Sequence, residues 1–98
     1  MYNSIFIDEF SQQAKRTALA IVDVRELAEF QNGHIPTAQN LPLSSLTTTY
    51  QKLDKETPYY IICHAGGRSA QASDFLAQQG YDVTNVMGGM SAWKGSLE

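Results

Sequence analysis

The stretch that decides the fold is Tyr59-Tyr60-Ile61-Ile62-Cys63-His64-Ala65-Gly66-Gly67-Arg68-Ser69. Its apolar, β-branched beginning is typical of a buried parallel strand, and the helical spacing of apolar residues starts just after Ser69. This order predicts a strand, a loop and a helix, with Cys63 at the end of the strand. In a parallel sheet that end borders the ligand-binding crevice, where the following helix presents its free backbone N–H groups. The sequence therefore predicts an anion site around Cys63.

The loop after Cys63 has the composition of a site that activates a thiol. Gly66 and Gly67 can adopt backbone angles closed to other residues, which lets successive N–H groups converge on one anion. A thiolate is such an anion, and a helix N-terminus and Arg68 would lower the pKa of Cys63 from its usual value of about 8.5. A lone buried cysteine is usually a packing residue. Because packing requires neither paired glycines nor an arginine on the next turn, we interpret Cys63 as a nucleophile.

Three motifs of the chain resemble the rhodanese family of sulfurtransferases. The active-site loop of that family resembles Cys63-His64-Ala65-Gly66-Gly67-Arg68-Ser69. The two other motifs occur in the family's order, and they are Asp23-Val24-Arg25 with Glu29-Phe30 and Gly33-His34-Ile35-Pro36, then Gly88-Gly89 with Trp93. Thr37 departs from the family pattern, which commonly has glycine there, and this departure affects a turn. The resemblance implies a rhodanese-like α/β fold with a mostly parallel sheet of four or five strands and helices on both faces.

The resemblance also implies a reaction and the residues that carry it. A sulfane sulfur would move from a small anionic donor such as thiosulfate to cyanide, a thiol or a protein acceptor, through a persulfide on the catalytic Cys63. Arg68 is expected to hold the anionic oxygens of the donor, and the backbone N–H groups of residues 64–69 to stabilise the thiolate and the persulfide. Neither a metal nor an organic cofactor is required. The predicted substrate-binding residues are Arg68, His64, Ala65, Gly66, Gly67 and Ser69.

Three further residues near the predicted site are interpreted as structural. Asp23 and Arg25 flank the end of a strand, where an ion pair or a loop hydrogen bond is expected, and Arg25 is also four residues from Glu29 and able to reach it. His34 lies in a turn and is expected to bond nearby backbone. The side chain of His64 is left open between a charge or hydrogen bond at the site and simple tolerance of a polar residue.

Two other classes of function remain open. A non-catalytic rhodanese-like interaction module is one, although such modules typically lack the cysteine. A phosphatase or arsenate reductase is the other, since both use a cysteine and an arginine around an anion loop. Four residues separate Cys63 from Arg68, whereas those enzymes resemble Cys-x5-Arg. The shorter loop is predicted to fit one sulfur atom and not a tetrahedral oxyanion.

Composition restricts the partners and the compartment. The 98 residues, 43% of them hydrophobic, predict one domain over residues 1–98. A net charge of −3 with scattered lysines and arginines argues against nucleic acid, and no apolar run approaches the roughly 20 residues that span a membrane. A single cysteine and the lack of a secretory signal favour the reducing cytoplasm. Leu97-Glu98 is interpreted as a remnant of cloning, so a natural chain continuing past Ser96, or a larger parent protein, stays open.

The order of apolar runs predicts alternating strands and helices. Asp8 is the expected N-cap of the first helix and Gly80 the C′ residue of the longest one. Met87, Met90 and Trp93 are expected to pack in the core. Strands are predicted at residues 5–7, 20–24, 40–41, 59–63 and 82–86, and helices at residues 8–16, 26–30, 44–54 and 68–79.

Overall fold

A parallel five-stranded sheet forms the centre of the protein. We describe it from a computed structural model, which covers residues 2–98. The strands are β1 (Asn3–Phe6), β2 (Ala20–Asp23), β3 (Gln39–Asn40), β4 (Tyr59–Ile62) and β5 (Val83–Met87). Their order in the sheet is β1-β5-β4-β2-β3, and every neighbouring pair is parallel. This confirms the predicted α/β fold with a mostly parallel sheet of four or five strands.

Helices cover both faces of the sheet, as predicted. The helices are α1 (Ile7–Arg16), α2 (Leu27–Gln31), α3 (Leu46–Thr49) and α4 (Gly67–Gln78), with 3₁₀ turns at Leu43–Ser45, Tyr50–Lys52 and Met90–Ala92. Residues of α1 contribute to one apolar cluster, where Phe10 is fully buried and the ring centroids of Phe10 and Trp93 are 6.0 Å apart. Residues of α3 and α4 contribute to the other cluster, where Leu46 and Leu76 are buried.

Several predicted elements have other bounds in the structure, among them the first strand, which ends at Phe6 and not at Ile7. The first helix begins at Ile7 with Phe6 as its N-cap, so the prediction of Asp8 as N-cap is wrong. Asp8 lies in the first turn, where its negative charge interacts favourably with the helix dipole. The predicted helix over residues 44–54 is broken into α3 and two 3₁₀ turns. Its threonines explain the break, since the hydroxyls of Thr48 and Thr49 donate to the carbonyl of Ser45 and compete with helical hydrogen bonds.

The carboxyl ends of the central strands meet at one edge of the sheet. Strand β4 lies between β2 and β5, and the residue that follows it is Cys63. The ladder continues one residue beyond β2, because the N–H of Val24 donates to the carbonyl of Ile62 at 2.9 Å. Cys63 is thereby placed in the middle of this edge, between the loops that follow β2 and β5.

No helix within residues 2–98 has the length and apolar character needed to cross a bilayer.

Candidate active site

The thiol of Cys63 lies inside the loop that joins β4 to α4. The residue is 1% exposed. The backbone N–H of Gly66 donates to Sγ at 3.1 Å, and the hydroxyl oxygen of Ser69, in the first turn of α4, lies 3.3 Å from Sγ. Ser69 is itself fully buried, and its hydroxyl is also 3.2 Å from the carbonyl of Gly66. The loop therefore surrounds a single sulfur atom with polar groups, of which the Gly66 N–H donates to it.

Burial and hydrogen bonding act in opposite directions on the pKa of Cys63. Burial raises the pKa of Cys63, because it disfavours the charged form. Hydrogen bonds from the Ser69 hydroxyl and from the backbone N–H groups of Ser69, Gly66 and Ala65 favour the thiolate more strongly. The net effect lowers the pKa of Cys63 below its ordinary value. The site thus favours the ionised, nucleophilic form of the cysteine.

The two glycines of the loop have different roles. Gly66 has φ +116°, a left-handed conformation that strongly favours glycine, and this turn directs its N–H toward Sγ. Gly67 is the first residue of α4 and has no positive φ; a Cβ atom there would meet nothing within 4 Å. Of the two glycines, Gly66 uses an angle closed to other residues, whereas Gly67 continues directly into helical backbone.

The turn after β5 holds the first peptides of the loop. The N–H groups of Met90 and Ser91 donate to the carbonyls of Cys63 and His64, both at 2.8 Å. Gly89 makes this close approach possible, since a Cβ atom there would overlap the Cys63 carbonyl oxygen. Its φ of +54° is also left-handed. The Gly88-Gly89 motif therefore positions Cys63 through the backbone and not through a side chain.

Arg68 forms a two-point ion pair with Glu29 of α2. The Arg68 Nη1 and Glu29 Oε1 atoms are 2.6 Å apart, and Nη2 and Oε2 are 2.9 Å apart. The side chains are 34% and 39% exposed. The guanidinium lowers the pKa of Glu29 to about 2, and the carboxylate in turn raises the pKa of Arg68. This pair connects the helix that begins at the Cys63 loop to the helix on the neighbouring side of the site.

Asp23 and Arg25 form a buried ion pair beside the site. The Asp23 carboxylate, fully buried, accepts hydrogen bonds from Arg25 Nη2 at 2.8 Å, Arg25 Nε at 3.0 Å and the Arg25 backbone N–H at 3.0 Å. Arg25 Nη2 also donates to the carbonyl of Gly33 at 2.8 Å. Arg25 thus does not engage Glu29, its neighbour four positions on, and instead ties the end of β2 to the loop after α2.

The two histidines lie in different surroundings. The His34 ring stacks on Phe30 with centroids 3.7 Å apart, and its Nδ1 is 2.9 Å from the Phe30 carbonyl oxygen. His34 therefore packs against the last turn of α2. The side chains of His64 and Ala65 are exposed on the loop that surrounds the thiol. Both residues lie on the exposed side of this loop. The hydrogen bonds to Sγ come from Gly66 and Ser69 and not from these two side chains.

Within residues 2–98, no group of three or more His, Cys, Asp and Glu side chains is arranged to hold a metal ion.

A cavity of about 380 Å³ lies away from Cys63, with Lys15, Ile21, Trp93 and Lys94 among its lining residues. None of the predicted catalytic or substrate-binding residues lines it.

Sequence reasoning missed Glu29 as a residue of the site and the specific contact of Ser69. Glu29 is 39 positions from Arg68, so no local spacing pairs them. The only available signal was that both belong to motifs that follow neighbouring strands. Ser69 was grouped with the loop for its backbone N–H, and the contact of its hydroxyl with Sγ was not predicted.

Comparisons with known proteins agree with this geometry. Residues 6–96 match the family described as the rhodanese-like domain. The candidate sulfurtransferase YtwF of Bacillus subtilis (strain 168) is 39% identical over 80 residues, which are 82% of this chain and 78% of YtwF. A crystal structure of a Staphylococcus saprophyticus subsp. saprophyticus protein has a TM-score of 0.92 and 38% identity, covering 98% of each chain.

One relative is longer than this chain. The candidate sulfur carrier protein YrkF of Bacillus subtilis (strain 168) is 36% identical over 96 residues, which are 96% of this chain and 52% of YrkF. The chain therefore spans about half the length of that relative.

Proposed function

This chain belongs to the rhodanese-like domain family, and from that premise we propose that it is a sulfurtransferase that carries sulfur as a persulfide on Cys63. The observation that supports this most strongly is the set of hydrogen bonds around Sγ. A buried thiol with a Gly66 N–H at 3.1 Å and a Ser69 hydroxyl at 3.3 Å lies in polar surroundings that favour a nucleophilic thiolate. A cysteine that only packed in the core would need none of these contacts.

The proposed reaction has two displacement steps. With thiosulfate as donor, the Cys63 thiolate forms a bond to the outer sulfur, the bond between the two sulfurs of thiosulfate breaks, and its electron pair leaves with sulfite. In the second step a thiolate, cyanide or a protein acceptor attacks the outer sulfur of the persulfide and restores the Cys63 thiolate. No external oxidant, metal or organic cofactor is needed for this balance.

The loop residues have distinct parts in this scheme. The N–H of Gly66 and the hydroxyl of Ser69 stabilise negative charge on Sγ before the first step and as it leaves in the second. Arg68 is the cation at the start of α4 and retains N–H groups that Glu29 does not use, with which it would contact an anionic donor. His64, Ala65 and Gly67 lie at the exposed rim, where donor and acceptor would approach.

The cellular setting is part of the same proposal. A thiol that must stay reduced between turnovers is suited to the reducing cytoplasm, where a cellular thiol or a partner protein would accept the sulfur. No role in nucleic-acid or membrane binding is proposed.

The experiment that tests the proposed function is a sulfur-transfer assay with thiosulfate and cyanide on the protein and on Cys63→Ser. We expect thiocyanate formation by the protein and none above background by Cys63→Ser, because serine offers no comparable ionised nucleophile at neutral pH. Circular dichroism of both proteins provides the folding control. Equal rates in the two proteins would contradict the proposal.

A further inference from the structure

The cation at the start of α4 is already paired with a carboxylate. Both terminal nitrogens of Arg68 bond the two oxygens of Glu29, at 2.6 and 2.9 Å. The Glu29 carboxylate is itself fixed, because its Oε1 also accepts the backbone N–H of Glu26 at 3.1 Å in a capping box at the beginning of α2. A donor that needs the guanidinium must therefore share it with a carboxylate that the Glu26 N–H also holds in place.

The charges around the loop leave an excess of negative charge. Glu26 lies at the N-cap of α2, where its carboxylate accepts the Ser44 hydroxyl hydrogen bond at 2.8 Å, and its charge also acts on Arg68. Arg25 is neutralised by Asp23. The positive charge of Arg68 is thus opposed by the negative charges of Glu26 and Glu29. A dianion such as thiosulfate meets this repulsion as it approaches, whereas an uncharged donor does not.

We propose that Glu29 is a specificity-determining residue that occupies Arg68 and thereby makes the site prefer sulfane-sulfur donors of low negative charge, of the hydropersulfide class R–S–SH, over the thiosulfate dianion. This inference rests on the proposed function, because it concerns the donor that loads Cys63. With such a donor, the Cys63 thiolate forms a bond to the outer, protonated sulfur, the S–S bond of the donor breaks, and its electron pair leaves as the thiolate R–S⁻. Cys63 then carries S–SH, so atoms and charge balance without a further reagent.

A charge series of donors tests this preference. The probes are thiosulfate with two negative charges, methanethiosulfonate with one, and the hydropersulfide of 2-mercaptoethanol, which is uncharged when protonated. Loading of Cys63 is followed by mass spectrometry of the intact protein. Glu29→Gln is the informative variant, since glutamine can keep the capping box of α2 while removing the charge that occupies Arg68. Asp74→Asn is the matched control, because it removes the same charge from an exposed position further along α4.

We expect Glu29→Gln to increase kcat/KM for thiosulfate by roughly tenfold, methanethiosulfonate by less, and the hydropersulfide hardly at all. Asp74→Asn should change none of them. Added salt should speed loading from thiosulfate in the unmodified protein, because it screens the repulsion between Glu29 and the donor. The effect should be smaller in Glu29→Gln, which lacks that charge. A merely structural Glu29 would slow all three donors together.

The outcomes separate the two proposals. Loading of Cys63 by every donor with no dependence on donor charge, or an equal loss for all donors in Glu29→Gln, overturns the role of Glu29 and leaves the persulfide route standing. Failure of every donor to load Cys63 overturns both the persulfide route and the preference that rests on it.

Discussion

The hydroxyl of Ser69 lies 3.3 Å from the Sγ of Cys63, and both residues are buried at the beginning of α4. This contact joins the reactive sulfur to the first turn of the helix. In the thiol form Sγ donates to the Ser69 oxygen, and in the thiolate form the Ser69 hydroxyl donates to sulfur, so the hydrogen bond can follow the charge of the cysteine. The contact is therefore part of the mechanism that lowers the pKa of Cys63.

Replacing Ser69 by alanine should raise the pKa of Cys63. The thiolate is the reactive form, so the pH at which alkylation by iodoacetamide reaches its plateau should move upward, and the rate at pH 7 should fall by about tenfold, the value of one charge-assisted hydrogen bond. Ser73→Ala is the control, because Ser73 is fully buried on the same helix and its hydroxyl has no hydrogen-bond partner within residues 2–98. Identical pH profiles for the two variants would show that Ser69 does not stabilise the thiolate.

The two loop glycines should respond differently to alanine. At Gly66 the φ of +116° would strain any side chain, so Gly66→Ala should cost about 1–3 kcal/mol of unfolding free energy or move the N–H away from Sγ. At Gly67 a Cβ has free space and the backbone is helical, so Gly67→Ala should leave stability unchanged or slightly higher. Urea unfolding and thiol alkylation of both variants measure this. Equal losses in the two would mean that the loop conformation is not the one described.

The buried ion pair beside the site should matter for folding far more than the exposed one. Asp23→Ala leaves the buried Arg25 guanidinium without its carboxylate, and we expect a loss of about 3–5 kcal/mol in unfolding free energy. Arg68→Ala breaks a pair whose side chains are 34% and 39% exposed, so its loss should be at most about 1 kcal/mol. Denaturant unfolding of both variants provides the comparison. Similar losses would contradict a structural role for the Asp23–Arg25 pair.

The length of the loop predicts which reactions the protein does not catalyse. With four residues between Cys63 and Arg68, the cup of N–H groups should hold one sulfur and exclude a tetrahedral oxyanion. We expect no hydrolysis of an aryl phosphate and no arsenate reduction above the Cys63→Ser background. Insertion of one glycine between Gly66 and Gly67 should lower sulfur transfer and improve oxyanion binding. Robust phosphatase activity that disappears in Cys63→Ser would overturn the argument from loop size.

Local sequence signals predicted the strand, the loop and the helix around Cys63, because an apolar run, glycines and helical spacing each act over a few residues. They also predicted Gly80 as the C′ residue of α4, which has φ +93°. They did not predict the partner of Arg68. Glu29 is four residues from Arg25, which suggested a helical pair, but the buried Asp23 takes Arg25 and leaves Glu29 to a residue 39 positions away. Such competition between partners is settled by tertiary packing and not by spacing.

The measurement that tests the account most directly is the mass of the intact protein after brief incubation with a sulfane-sulfur donor and removal of the excess. The chain has one cysteine, so an adduct is readily assigned. We predict a gain of one sulfur atom on Cys63, its loss when cyanide or a thiol is added, and no gain in Cys63→Ser. An unchanged mass with thiosulfate, methanethiosulfonate and a hydropersulfide alike, or the same gain in Cys63→Ser, would contradict a persulfide on Cys63.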